Sequence, residues 1–110
     1  MGEVYDTVSH AVERLIRITE AKIQATVERN PNRLLALLQE ELDHLHTLDQ
    51  WQDACLTLSP EEKARLKKRV EFWQERGRFL QELLQQQLGY LDFIRSLLGA
   101  PVSHGLDIGL

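Results

Sequence analysis

A seam of mostly apolar residues in the second half of the chain most constrains the fold. Its members alternate at spacings of four and three: Leu66, Val70, Trp73, Gly77, Leu80, Leu84, Gln87, Leu91, Ile94 and Leu98. Because side chains three and four positions apart lie on one side of an α-helix, this spacing predicts a single long helix with one contact face. A helix from Pro60 to Leu98 would be roughly 58 Å long at about 1.5 Å per residue, so other segments must cover it.

Two shorter amphipathic segments precede this helix, at about residues 3–29 and 31–57. The first has an apolar stripe of Val8, Val12, Leu15, Thr19, Ile23 and Thr26, and its polar residues Glu13, Arg14, Arg17 and Glu20 are expected to face away. The stripe of the second consists of Leu35, Leu38, Leu42, Leu45, Leu48, Trp51, Cys55 and Leu58, and the residues expected toward solvent are Glu40, Glu41, Asp43 and Asp49. Both segments are therefore predicted to be helices.

Local signals place the boundaries between the three helices. Asn30 and Pro31 suit the cap and the first residue of the second helix, because proline fits the first helical turn. Ser59 and Glu62 form a capping-box pattern around Pro60, which predicts the start of the third helix. The glycine at position 99 and the proline at 101 are typical of its end.

These signals predict an all-α fold, an antiparallel up-down-up three-helix bundle with a long C-terminal helix and coiled-coil-like packing. We expect one domain at residues 1–99 and a flexible tail at residues 100–110. Helices one and two would each be about 40 Å long, so the third would extend roughly 20 Å past them at its C-terminal end. That end, residues 86–98, is apolar on nearly all sides, so we expect it to be buried against another protein surface.

The distribution of charged and apolar residues indicates whether the chain binds nucleic acid or spans a membrane. The net charge of −4 is uneven, and only residues 59–78, with seven bases and four acids, are basic. This footprint is too narrow for nucleic-acid binding, and the patch of Lys63, Arg65, Lys67, Lys68 and Arg69 is expected to be a solvated face. The sequence contains neither a long apolar run nor a second cysteine for an internal disulfide, so we expect a cytoplasmic protein without a membrane span.

Candidate chemical sites are few. Glu41 and His44 form one E-x-x-H pair, whereas a di-iron centre needs two such pairs, so we expect no metal or other cofactor. Cys55 lies on an apolar stripe and is expected in the core. We therefore expect no enzymatic activity. Gly77 predicts close helix packing or a mild bend, and Gly89 is either a flexure before the apolar end or a tolerated glycine.

Three stretches carry a family resemblance: Glu20-Ala-Lys22, residues 34–42 (LLALLQEEL) and residues 85–99 (QQQLGYLDFIRSLLG). The chain resembles the FlgN family of flagellar export chaperones, small helical proteins of the bacterial cytoplasm. The resemblance implies binding of the C-terminal regions of hook-filament junction proteins, which are hook-associated proteins, before their export by the type III apparatus. Components of that apparatus are further expected partners. In the tail, His104-Gly105 stands where the family pattern has a Tyr-Gly pair.

The client-binding region of the family maps onto the apolar end of the last helix. The residues concerned are Leu84, Leu88, Leu91, Phe93, Ile94, Leu97 and Leu98. A FliT-like chaperone of the filament cap protein is the close alternative. A structural coiled-coil protein, whose apolar end is permanently buried in a homo-oligomer, is the alternative from another class. For a chaperone we expect only weak self-association through this end.

Overall fold

The computed structural model describes residues 2–97 and, among them, the side chains of residues 2–89. Its elements are α1 (Glu3–Val27), α2 (Pro31–Trp51), a short 3-10 helix (Ala54–Thr57) and α3 (Pro60–Leu97). No strand occurs within these residues, and the predicted all-α three-helix bundle with a long last helix is confirmed. No described helix combines the length and the hydropathy needed to cross a lipid bilayer.

The predicted helix starts are correct. The side-chain oxygen of Asn30 accepts a hydrogen bond of 3.1 Å from the backbone N–H of Arg33, which caps α2 in front of Pro31. At α3 the capping box is complete, because the Ser59 N–H donates to the Glu62 carboxylate at 3.0 Å and the Glu62 N–H donates to the Ser59 hydroxyl at 3.2 Å.

Two helix ends differ from the prediction. α1 ends at Val27 rather than Arg29, because Arg29 adopts a left-handed φ of 55° and the Asn30 N–H donates back to the Ala25 carbonyl at 2.9 Å. α2 ends at Trp51 rather than at residue 57. The 3-10 helix that follows has tighter hydrogen bonds, from residue i to residue i−3, and leads to the buried Leu58.

The core is organised around α1 rather than around the long last helix. In α1, 11 of 25 residues are buried, whereas α2 has a single buried residue. One cluster joins three residues of α1 to Leu58 and Leu66, and Val70 and Trp73 pack against it. The prediction that Leu66, Val70 and Trp73 lie in the bundle core is confirmed. A second cluster joins the α1 residues Ile18 and Ala25 to Leu37.

The chain divides after Leu80 into two units, and α3 belongs to both. The first unit contains α1, α2, the 3-10 helix and the first part of α3. α3 has 38 residues against 25 in α1. The single domain at residues 1–99 and the extension of α3 past the other helices stay predictions.

Candidate protein-binding surfaces

The predicted client-binding residues belong to the second unit. Leu84 is half-buried, and Leu88 has 51% of its surface exposed. Four more of them belong to α3, but their side chains lie outside the described ones: Leu91, Phe93, Ile94 and Leu97. Leu98 lies outside the described residues. The described part of this surface therefore consists of a half-buried leucine and an exposed one, one helical turn apart.

α2 carries two rows of residues at helical spacing, and they lie side by side on its surface. The inner row consists of Leu34, Leu37, Glu41, His44, Leu48 and Trp51, all buried or half-buried. The outer row consists of Leu35, Leu38, Leu42 and Leu45, all exposed. Since the two rows are offset by one residue, they differ by about 100° of rotation around the helix.

A buried ion pair holds the inner row against α1. The Lys22 ammonium donates a hydrogen bond of 2.7 Å to the Glu41 carboxylate, and the two side chains are only 10% and 15% exposed. The prediction that Glu41 faces solvent was wrong. Its physical reason is Lys22, which lies among the buried residues of α1 and would otherwise keep a charge there without a counterion.

The exposure of the outer row is the largest difference between the predicted and the observed helix faces. Its leucines were predicted to pack in the bundle, yet Leu35 is 57% exposed, Leu38 42%, Leu42 64% and Leu45 36%. Leu48 and Trp51, from the same predicted stripe, do pack against the core. The sequence contained a signal for this orientation. Lys22 is at helical spacing from Leu15 and Thr19 and therefore lies on the buried face of α1, where its charge requires an acidic partner on the facing helix.

α1 and α3 are joined by a ladder of ion pairs that repeats every seven residues. Arg69 binds Glu13 through two hydrogen bonds, of 2.6 and 3.0 Å, and Arg76 binds both carboxylate oxygens of Glu20. Glu13 and Glu20 lie outside the core, as predicted, with 43% and 44% of their side chains exposed, but the sequence analysis did not predict their pairing with α3. The hydrogen bond from Arg69, opposed in part by desolvation, lowers the pKa of Glu13, and both arginines have raised pKa values because of their glutamates.

Each arginine of this ladder also lies over an exposed aromatic ring. The guanidinium of Arg69 is 5.2 Å from the ring centre of Phe72, and that of Arg76 is 4.9 Å from the ring centre of Phe79. The two phenylalanines are 39% and 44% exposed. The arginines thus cover part of the apolar surface on α3, and the direction of the ladder shows that α1 and α3 are parallel.

A groove of about 340 Å³ opens where the three helices meet. It is lined by Thr19, Lys22, Glu41, Trp73, Gln74, Gly77 and Leu80. A Cβ atom added to Gly77 would meet no atom within 4 Å. The prediction of close helix packing at this glycine was therefore wrong, because the space beside it is open.

The remaining candidate residues contain no assembled chemical site. Cys55 is half-buried and packs against the first core cluster, as predicted. His44 lines an open groove together with Asp6 and His10. Within the described part of the chain, no three His, Cys, Asp or Glu side chains are placed to hold a metal ion. The lysines of the basic patch are exposed, as predicted, whereas Arg69 is half-buried in the ladder.

The fold and its surfaces define an all-α bundle whose described residues include exposed leucines on α2, on the 3-10 helix and on α3. No family model matches the chain, and no curated protein or solved structure shows significant similarity to it.

Proposed function

We propose that this chain is a cytoplasmic chaperone of flagellar type III export that holds its client through the apolar end of α3. The observation that carries the proposal is the exposure of Leu88, which begins the apolar block of residues 88–98 and has 51% of its surface accessible. The continuation of α3 to Leu97 also supports it. The resemblance of residues 34–42 and 85–99 to the FlgN family supports the choice of pathway.

The mechanism is recognition of one helix by another. A helical segment of the client lays its apolar face on Leu84, Leu88 and the apolar residues that follow, which keeps that segment from associating elsewhere before export. The clients are the C-terminal regions of hook-filament junction proteins. The filament cap protein is the client of the FliT-like alternative, and components of the export apparatus are further partners. Binding and release involve no covalent step.

A capture experiment with immobilised C-terminal segments of hook-filament junction proteins tests this proposal. The double variant Leu91→Ser, Ile94→Ser should lower capture at least about tenfold, because hot-spot residues contribute most of the binding free energy. Leu56→Ser is the matched control, since Leu56 is an exposed leucine, 75% accessible, on the 3-10 helix. The control should capture client as the wild type does.

A thermal melt of the same variants separates binding from folding. Leu66→Ala should lower stability by about 2–5 kcal/mol because Leu66 is buried in the core, whereas the double variant should keep the wild-type melting temperature. If the double variant unfolds as readily as Leu66→Ala, the apolar end is core rather than a binding surface. Undiminished capture by a folded double variant would place the client elsewhere. Preferential capture of the cap protein would select the FliT-like alternative.

A further inference from the structure

The outer row of α2 is the most apolar exposed face of the described helices that the proposed client site does not use. Leu42 at its centre is 64% exposed. We propose that this row binds the outer row of a second copy of the chain, with the two α2 helices antiparallel. This surface lies in the first unit, away in sequence from the apolar end of α3, so the inference goes beyond the proposed function.

The spacing of the row is the same when read in either direction. Its gaps are three, four and three residues, from Leu35 through Leu38 and Leu42 to Leu45. In an antiparallel pair, Leu35 lies opposite Leu45 of the second copy, and Leu38 lies opposite Leu42. Every leucine of the row then has a leucine partner, as the apolar positions of an antiparallel coiled coil do. Two-fold symmetry closes the assembly at a dimer.

The charges around the row favour a second copy in this orientation. Asp49 continues the row at its C-terminal end, seven residues after Leu42. The antiparallel arrangement places Asp49 beside Pro31, the first residue of α2 in the second copy, where the helix dipole is positive. A parallel dimer in register would instead place Asp49 against Asp49. Gln39 and His46 flank the row on one side and carry no acid. Leu34, Glu41 and Leu48 of the inner row flank it on the other side, where the Glu41 carboxylate is already bound by Lys22.

The size of the row sets the strength of the contact. Four leucines, each between 36% and 64% exposed, supply about half of the roughly 800 Å² that each partner of a stable complex buries. The dimer should therefore dissociate in the micromolar range or above, so that dilution releases the monomer.

Analytical ultracentrifugation of the full chain over a concentration series tests the interface. The wild type should show a reversible monomer–dimer equilibrium. The double variant Leu38→Lys, Leu42→Lys should raise the dissociation constant at least about tenfold, because it brings like charges into the centre of the contact. Leu56→Lys is the control at a still more exposed leucine, 75% accessible and outside the row, and it should dimerise as the wild type does.

Cysteine cross-linking tests the orientation. In a Cys55→Ser background, a mixture of the Leu38→Cys and Leu42→Cys variants should form the mixed disulfide in preference to either homodisulfide. Preferential homodisulfides would indicate a parallel pair and overturn the antiparallel assignment.

Three further outcomes would overturn the proposal. The wild type could stay monomeric at about millimolar concentration, where a weak dimer of this kind would be populated. The lysine double variant could unfold, which would place the row in the chain's own core. It could also dimerise normally while Leu91→Ser, Ile94→Ser abolishes dimerisation, which would place the contact on α3. Capture of client by the folded lysine variant reports separately on the proposed function, which does not use this row.

Discussion

The two rows of α2 show what decides which face of a helix becomes buried. The inner row contains the polar residues Glu41 and His44 and faces α1, while the outer row contains only leucine and faces outward. A row made only of leucine is the one that would be expected to face the core. However, the inner row also has four apolar residues, so turning the helix by 100° would exchange one apolar set for another and gain little burial.

The buried ion pair makes the difference between these two orientations. Turning α2 would separate Glu41 from Lys22 and leave a charged ammonium among buried residues, which costs several kcal/mol. The outer leucines are only partly exposed, and each would gain a fraction of the free energy of a fully buried leucine. Pairing one buried charge therefore outweighs a small gain in apolar burial, and the outer row is left available to a partner.

Breaking the ion pair should have the largest effect on stability. We expect Glu41→Ala to lower the free energy of unfolding by about 3–5 kcal/mol, because Lys22 then stays buried without a counterion. Urea denaturation measures this change, and Glu40→Ala, at the exposed neighbouring glutamate, is the control that should have little effect. Equal, small effects of the two variants would show that the pair does not fix the orientation of α2.

Truncating adjacent leucines compares the two rows directly. Leu37→Ala should cost about 2–5 kcal/mol, because Leu37 is 2% exposed in the second core cluster. Leu38→Ala removes the same atoms from a residue 42% exposed, so we expect a cost of less than about 1 kcal/mol at concentrations where the chain is monomeric. Thermal or urea melts decide the comparison. A larger loss for Leu38→Ala would mean that the outer row faces the core.

Gly77→Ala tests whether the groove beside the ion pair is open. The added methyl group meets no atom within 4 Å, and alanine is a better helix former than glycine, so the variant should be more stable by up to about 1 kcal/mol. The midpoint of a urea melt measures this gain. Gly89→Ala is the matched control, because a Cβ atom there also meets nothing within 4 Å. A loss of stability specific to Gly77→Ala would indicate close packing at this position.

Breaking the ladder between α1 and α3 should have the smallest effect on the free energy of unfolding, and that effect should depend on pH. The pKa of Glu13 is lowered in the folded state, so the pair with Arg69 stabilises the fold above the ordinary glutamate pKa of 4.5 and loses that contribution as the pH falls through the lower, folded-state value. Both side chains are 43% exposed, so Glu13→Gln should cost less than about 1 kcal/mol at neutral pH.

Urea melts of this variant and the wild type at neutral and acidic pH measure the difference, which should shrink toward zero in acid. Glu40→Gln, at an exposed residue of α2, is the control. A difference that grows as the pH falls would have the wrong sign for a lowered pKa.

The sequence by itself determined the elements whose causes are local. Asn30 and the pair of Ser59 and Glu62 satisfy backbone groups within three residues of themselves, so their roles could be inferred without knowing the fold. The buried face between Leu66 and Leu80 could also be predicted, because a regular spacing of three and four residues places apolar side chains on one side of a helix. The three helices and the class of the fold follow from such signals.

Only the tertiary structure decided which face of α2 is buried and which residues pair with Glu13 and Glu20. Each depends on a partner far away in the chain: Lys22 lies 19 residues from Glu41, and Glu13 lies 56 residues from Arg69. Helical periodicity measures how apolar a face is, but it carries no information about which charge the neighbouring helix presents. Where two faces of a helix offer similar apolar burial, as on α2, the charge on the neighbouring helix decides which face is buried. Which charge that is becomes known only when the helices are packed together.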